Sequence, residues 1–255
     1  MRMRGLPWLP FLFAVAFQPY ALAQDSLEQR LNSDRVGYIE PGTYLAGDRV
    51  SFNIDAAGQN YFLRLAGSPE VFVLYQDRAA MGGRVLKYDS GETALSVSGW
   101  GGVTLYVSSA PGGLPAERTG DSLPPSPMPA SIQDIQSAAA DEAQHLAYTR
   151  RLNLTFTANW SMLSGDASAR SLALDTMENT ARGVDRFAAS AAGHEAFTRH
   201  VDQVALEESG RPTITLNGRT LVVTFNPGHG YIGRASSRAI DRALGKILSA
   251  QRPPG

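Results

Sequence analysis

The chain has no cysteine and only two lysines, Lys87 and Lys246, among its 255 residues. The absence of cysteine excludes disulfides, thiolate nucleophiles and zinc sites built with cysteine ligands. The 23 basic residues are balanced by 24 acidic ones, which argues against a strongly basic protein that binds nucleic acid. After residue 23, no segment is apolar over the roughly 20 residues that a membrane-spanning helix needs.

The first 23 residues have the three-part layout of a secretory signal peptide. Arg2 and Arg4 form a basic start, residues 6–17 form a short apolar run, and Ala21-Leu22-Ala23 is a small-x-small cleavage site. Cleavage there makes Gln24 the new N-terminus and leaves 21 basic and 24 acidic residues. We therefore expect an exported protein, periplasmic or secreted, which a hydrophobic core must stabilise without disulfides.

Residues 36–107 predict an antiparallel β domain that follows a polar lead-in at residues 24–35. Short alternating apolar runs, such as Val50, Phe52 and Ile54, are separated by turn residues. About six strands with short connections indicate a small antiparallel β-barrel or sandwich. Residues 108–130, which contain six prolines and three glycines, predict a proline-rich linker at a domain boundary.

Residues 131–255 predict an α+β domain with amphipathic helices. Ser131 is a suitable N-cap for a first helix, alternation over residues 152–158 predicts a strand, and helical spacing extends through Phe197, Val201 and Val204. Asn217-Gly218 between two apolar runs predicts a β-hairpin. The predicted order is helix, strand, helix, helix, hairpin, helix.

Two strings look like catalytic or cofactor motifs, and we interpret both as chance matches. Gly120-Asp121-Ser122-Leu123 occurs in a class of esterases and lipases, but here it lies in the predicted linker, with no Asp-x-x-His pair downstream to supply the base. The glycines at 228, 230 and 233 match a dinucleotide-binding pattern, but the chain ends 22 residues later. That length leaves no room for the second parallel strand of such a unit.

A weaker anion-binding hypothesis remains at the turn before the last predicted helix. Free N–H groups and the positive end of the helix dipole favour an anion at a helix start. The candidate residues are Gly230, Gly233, Arg234, Ser236, Ser237 and Arg238. The alternative is a glycine-rich turn in which Ser236 or Ser237 caps the helix while the arginines face solvent.

The four histidines, His145, His194, His200 and His229, lack the spacing of a metal site. Glu142 and His145 share one helix face, but carboxylate metal sites use this three-residue spacing twice. We therefore expect no metal and no cofactor. No nucleophile can be paired with a base from the sequence, so the catalytic residues of any activity stay unknown.

Four short strings resemble a family of uncharacterised alphaproteobacterial secreted proteins, a domain of unknown function. They are GSPEV at 67–71, GGVTLY at 101–106, PGGLPA at 111–116 and GYIGRASSR at 230–238. The resemblance supplies no catalytic residue and no ligand. It implies a Gram-negative envelope context, in agreement with the predicted signal peptide.

The sequence predicts a soluble envelope protein that binds a ligand or a protein partner rather than an enzyme. Two alternatives stay open: an envelope hydrolase that uses Asp, Glu or His residues, and a small-anion binder at the start of the last helix. A cleft with converging titratable groups indicates an enzyme. A groove, an exposed apolar patch or an open sheet edge indicates a binding protein.

Overall fold

The computed structural model describes residues 38–163 and 165–251, which belong to one compact unit. The predicted signal peptide (residues 1–23) and lead-in (residues 24–35) lie outside this range, so both remain predictions. No helix in the described range is long and apolar enough to cross a membrane.

Eight strands form a closed antiparallel barrel, in which each strand pairs with the next and β8 pairs with β1. A single 3-10 turn, Ala80–Gly82, joins β4 to β5. The strands are β1 (Gly42–Ala46), β2 (Val50–Ala57), β3 (Asn60–Leu65), β4 (Val71–Arg78), β5 (Arg84–Tyr88), β6 (Thr93–Val97), β7 (Val103–Val107) and β8 (Ala110–Gly120). The predicted antiparallel barrel is therefore confirmed, with eight strands instead of about six, and the sandwich alternative is wrong.

The alternating apolar side chains of these strands fill the inside of the barrel. Phe52 and Ile54 on β2 are buried together with Leu63 on β3. The rings of Phe72 and Tyr88 meet edge to face, with their centroids 5.1 Å apart. A barrel of eight strands is narrow enough for side chains to fill it, and this one encloses a hydrophobic core.

The proline-rich segment differs from the predicted linker, because residues 110–120 form β8. Pro115 lies opposite Thr104, and its carbonyl accepts a hydrogen bond of 3.1 Å from the N–H of Gly47. Gly113 has a φ of +87°, at the point where the β7–β8 register shifts. Irregular strands of this kind accommodate proline and glycine. Of the predicted linker, residues 121–130 lack regular structure and lead from the barrel to the first helix.

The described residues after the barrel form an α+β layer with a four-stranded sheet in the order β11-β12-β10-β9. Its elements are α1 (Ile132–Arg150), β9 (Thr155–Ala158), α2 (Trp160–Leu163), α3 (Ala167–Phe187), α4 (Ala191–His200), β10 (Gln203–Glu208), β11 (Ile214–Asn217), β12 (Thr220–Phe225), a 3-10 segment (Pro227–Gly233) and α5 (Ser237–Ala250). Strand β10 runs parallel to both β9 and β12. The hairpin predicted at Asn217-Gly218 is confirmed by the antiparallel β11–β12 pair.

One element of this layer was predicted with the wrong structure. Helical spacing through Val204 predicts a helix there, but α4 ends at His200 and Val204 lies in β10. Val204 and Leu206 are both buried while their neighbours Gln203 and Ala205 are partly exposed, which is the alternation of a strand. The spacing from Phe197 to Val201 is that of a helix. The few apolar residues that follow fit the period of a helix as well as that of a strand.

Candidate functional site

One end of the barrel binds the first turn of α5 through two acidic side chains. Glu70 accepts hydrogen bonds from the N–H (2.8 Å) and the hydroxyl (2.6 Å) of Ser237. Asp89 accepts equivalent bonds from the N–H (2.7 Å) and the hydroxyl (2.5 Å) of Ser236. The free N–H groups at this helix start are therefore bound to carboxylates of the same chain.

The two arginines of the predicted anion site also bind groups of the same chain. Arg234 is buried, donates to the carboxylate of Asp175 on α3, and donates a 2.7 Å bond to the Val71 carbonyl of the barrel. Arg238 donates a 2.8 Å bond to Glu92 and lies over the Tyr88 ring, 4.4 Å from its centroid. The expectation that the arginines of a capped turn face solvent is therefore wrong.

The structure brings five of the six predicted site residues to the junction between the barrel and α5. These five residues are Gly233, Arg234, Ser236, Ser237 and Arg238. Ser236 is the N-cap of α5, and its hydroxyl accepts a 3.2 Å hydrogen bond from the N–H of Ala239. Gly230 lies earlier, inside the 3-10 segment, with a φ of +51°. An external anion at this turn stays a prediction, and it would have to displace Glu70 or Asp89.

Ser122, the serine of the esterase-like string, anchors the irregular segment to the barrel. Its hydroxyl donates to Asp55 at 2.5 Å. Asp55 is buried and forms a 2.9 Å ion pair with Arg64. Among the described residues the other hydrogen-bond partner of this hydroxyl is the carbonyl of Ile54, and no histidine base contacts it. The contacts of Ser122 are those of a structural residue.

A cleft of about 520 Å³ lies between the β3–β4 turn of the barrel and helices α1 and α3. Its titratable lining comes from three elements: Glu70 on the barrel, Asp141, Glu142 and His145 on α1, and Arg182, Asp185 and Arg186 on α3. Glu142 and His145, noted in the sequence for sharing a helix face, thus lie in one cavity. We call this cavity the α1–α3 cleft.

Several charges of the α1–α3 cleft are already neutralised by neighbours. Asp185 accepts two hydrogen bonds from Arg150, at 2.7 and 3.1 Å. Arg182 donates to Glu178 at 2.8 Å and to Asn179 at 2.9 Å. Within the described part of the chain, Glu142 has neither an ion pair nor a hydrogen bond to its carboxylate, and neither does the guanidinium of Arg186.

Two carboxyl groups of the cleft have raised pKa values. Burial raises the pKa of Glu142, and the charge of Arg182 opposes this effect only in part. Burial also raises the pKa of Glu70, against the hydrogen bonds from Ser237 and the charge of Arg234. A titratable group with a perturbed pKa in a cleft marks a candidate functional site.

A second cavity, of about 440 Å³, lies at the carboxyl ends of the parallel strands β9, β10 and β12. Ligands of open α/β sheets commonly bind at this edge. The cavity is lined by Glu207 and Glu208, by Met162 and by Phe225. Its charged lining residues are both acidic, whereas the α1–α3 cleft presents groups of both signs.

The described residues hold no group of three or more acidic or histidine side chains that could bind a metal ion. His194 hydrogen-bonds the Arg150 carbonyl at 2.8 Å, which is a structural contact. The sequence analysis missed Glu70, Asp89 and Arg186 as site residues. Glu70 and Ser237 are 167 positions apart, and no local pattern predicts such a contact.

The chain belongs to the family described as domain of unknown function DUF4908, whose sequence pattern matches residues 24–244. No curated protein and no solved structure has significant similarity to the chain.

Proposed function

We propose that this chain is an exported protein of the Gram-negative envelope that binds a small charged ligand in the α1–α3 cleft. The observation that carries the proposal is that Glu142 and Arg186 line one cavity of about 520 Å³, while neither side chain has a hydrogen bond or an ion pair to the described residues. Cavities of roughly 300–1,000 Å³ accept small molecules. The signal-peptide layout of residues 1–23 supports export, and the resemblance to secreted proteins supports the envelope.

The charges of the cleft define the chemical class of the ligand. A carboxylate that has lost water without gaining a partner is stabilised by a cationic nitrogen. A guanidinium donates two parallel hydrogen bonds to a carboxylate or a phosphate. We therefore propose a ligand that carries an amine to face Glu142 and an acidic group to face Arg186.

The ligand class is tested by a thermal-shift screen of residues 24–255 against amino acids, amino sugars, polyamines and phosphates. A ligand at 100 times its dissociation constant adds about 2.7 kcal/mol of stability. We expect stabilisation by compounds that carry both charges, and its loss in Glu142→Gln and Arg186→Gln. Glu117→Gln and Arg211→Gln change exposed residues outside the cleft and are the matched controls. Equal responses in cleft and control variants contradict the proposal.

A hydrolase that uses the same cleft is the second candidate, favoured by the raised pKa of Glu142 and by His145 one turn away. A carboxylic acid with a raised pKa can donate a proton to a leaving group. The test is turnover of chromogenic glycosides, esters and phosphates. Turnover that is lost in Glu142→Gln and retained in Glu117→Gln supports a hydrolase. If none of these substrates is turned over, the hydrolase candidate is rejected in favour of the binding function.

The same screen tests the small-anion alternative at the start of α5. Ser236 and Ser237 already donate to Asp89 and Glu70, so phosphate or sulfate must compete with these carboxylates. We expect no stabilisation by either anion that depends on Ser237. A phosphate response that is abolished by Ser237→Ala and unaffected by Arg186→Gln assigns the site to α5.

Export is tested by expressing the full chain in a Gram-negative host and measuring the mass of the product in the periplasm. We expect a chain that begins at Gln24. An unprocessed chain that stays in the cytoplasm contradicts the export proposal, and it leaves the ligand proposal to its own test.

A further inference from the structure

Two large apolar side chains stand exposed at one end of the barrel. Met81, in the β4–β5 connection, is 91% exposed, and Trp100, in the β6–β7 connection, is 93% exposed. Strand direction alternates around the barrel, so these connections lie at the end opposite to the β3–β4 and β5–β6 connections that meet α5. The exposed pair is therefore remote from the α1–α3 cleft.

The two loops are held against each other by close backbone approaches. A Cβ atom placed on Gly99 would lie 2.6 Å from the carbonyl oxygen of Met81, and one placed on Gly83 would lie 2.8 Å from that of Val97. The 3-10 turn that carries Met81 buries none of its residues. Met81 and Trp100 thus contribute little to the core and project from one paired loop surface.

Two arginines lie at the base of the loop that carries Met81. Arg78 and Arg84 are opposite each other at the base of the β4–β5 hairpin, and Arg84 donates a 3.0 Å hydrogen bond to Gln76. The nearby acid Asp77 is bound to Lys87 at 2.7 Å. The salt bridges of the described residues include none to Arg78, so the base of the hairpin keeps a local positive charge.

We propose that this surface, which we call the barrel tip (Arg78, Met81, Arg84 and Trp100), docks on an anionic phospholipid bilayer. Indole and thioether side chains on protruding loops can enter the headgroup region, where tryptophan is favoured. Behind them, Arg78 adds positive charge that attracts lipid phosphates. Docking at this end leaves the α1–α3 cleft open to solvent.

The test uses tryptophan fluorescence of residues 24–255, which contain Trp100 and Trp160. Trp160→Phe makes Trp100 the single tryptophan of that chain, and circular dichroism checks that it folds. We expect the emission of Trp100 to shift to the blue with phosphatidylglycerol vesicles and to stay unchanged with phosphatidylcholine vesicles. High salt should reverse the shift, because exposed charges are then screened. No shift with phosphatidylglycerol, or equal shifts with both lipids, overturns the proposal.

Vesicle sedimentation identifies the residues responsible. We expect the double variant Met81→Ser/Trp100→Ser, and separately Arg78→Gln/Arg84→Gln, to lower binding to phosphatidylglycerol vesicles by about tenfold. Tyr148→Ser removes another exposed aromatic side chain, 88% exposed on α1, and should bind like the unaltered chain. Unchanged binding by the tip variants overturns the proposal. So does a Trp100 shift that rises with protein concentration without lipid, which assigns the tip to self-association.

Discussion

Ser237 donates both its backbone N–H and its hydroxyl to the carboxylate of Glu70, which lies 167 positions earlier in the chain. Ser236 makes the same pair of bonds to Asp89. Two adjacent serines of one helix start are thus bound by two separate turns of the barrel. These contacts join the barrel to the α+β layer; Glu70, Ser236 and Ser237 are buried, whereas Asp89 is exposed.

Removal of the Glu70 carboxylate should destabilise the whole unit. In Glu70→Ala, the N–H and hydroxyl of Ser237 are left buried without a partner, which costs about 2–3 kcal/mol of unfolding free energy. Glu70→Gln keeps one acceptor oxygen and should lose less. Urea denaturation measures both. Equal stabilities for Glu70→Ala and the unaltered chain would show that the contact contributes nothing.

Gly183 on α3 and Gly245 on α5 should respond to alanine in opposite directions. A Cβ at Gly183 would lie 2.6 Å from the Cβ of Ile240 and 2.9 Å from the Ser237 carbonyl, whereas a Cβ at Gly245 meets no atom within 4 Å. We expect Gly183→Ala to lower the free energy of unfolding by about 1–3 kcal/mol, because the added methyl group overpacks this contact. Gly245→Ala should raise the free energy of unfolding by about 0.5–1 kcal/mol, because alanine has a higher helix propensity than glycine. Thermal unfolding measures the stability of both variants. A change in stability of the same sign in the two variants contradicts this packing.

Ser122 should be dispensable for any hydrolysis that the protein performs. Ser122→Ala removes one hydrogen bond to Asp55 and should cost about 1 kcal/mol of stability. Asp55→Ala leaves Arg64 without its buried partner, so we expect a larger loss, about 3 kcal/mol. The measurements are denaturation and esterase turnover. An esterase activity that disappears in Ser122→Ala, while the fold is kept, would make this serine a nucleophile.

The stability contribution of Glu142 should fall as pH rises. Burial raises its pKa in the folded chain above the ordinary value of 4.5. The folded state therefore binds the proton more tightly than the unfolded state, and this contribution is complete below about pH 4.5 and is lost as pH rises through the raised pKa. Glu142→Gln should be more stable than the unaltered chain at pH 7 and lose that advantage at pH 4. Glu117→Gln is the control, and parallel pH profiles for all three chains would exclude the effect.

Much of the fold could be predicted from local patterns. Alternating residues such as Val50, Phe52 and Ile54 identified barrel strands, and Asn217-Gly218 identified the hairpin, because both signals depend on neighbours within a few residues. Strand β8 was missed because Pro111 and Pro115 argue locally against a strand. Pairing with β1 and β7 on either side nevertheless stabilises it, as closure of a barrel requires.

The candidate site was only partly predictable. Glu142 and His145 could be placed on one helix face by their spacing, but the barrel wall and α3 that complete the cleft come from distant parts of the chain. The sequence predicted that the helix start at Ser236 and Ser237 favours an anion, and binding of an external anion there stays a prediction. The occupants of this helix start, Glu70 and Asp89, could not be named, since they reach it only when the barrel packs on α5.

The sequence by itself determined the signal-peptide prediction, the exclusion of cysteine chemistry, an antiparallel β domain and the position of the last helix start. These depend on composition or on residues close in the chain. Only the tertiary structure decided that the barrel closes through β8 and that the carboxylates at α5 belong to the protein itself. The tertiary structure also decided that Glu142 and Arg186 line the same cleft. The physical reason is that side-chain contacts across more than a hundred residues are set by packing of whole elements, which leaves no periodic trace in the sequence.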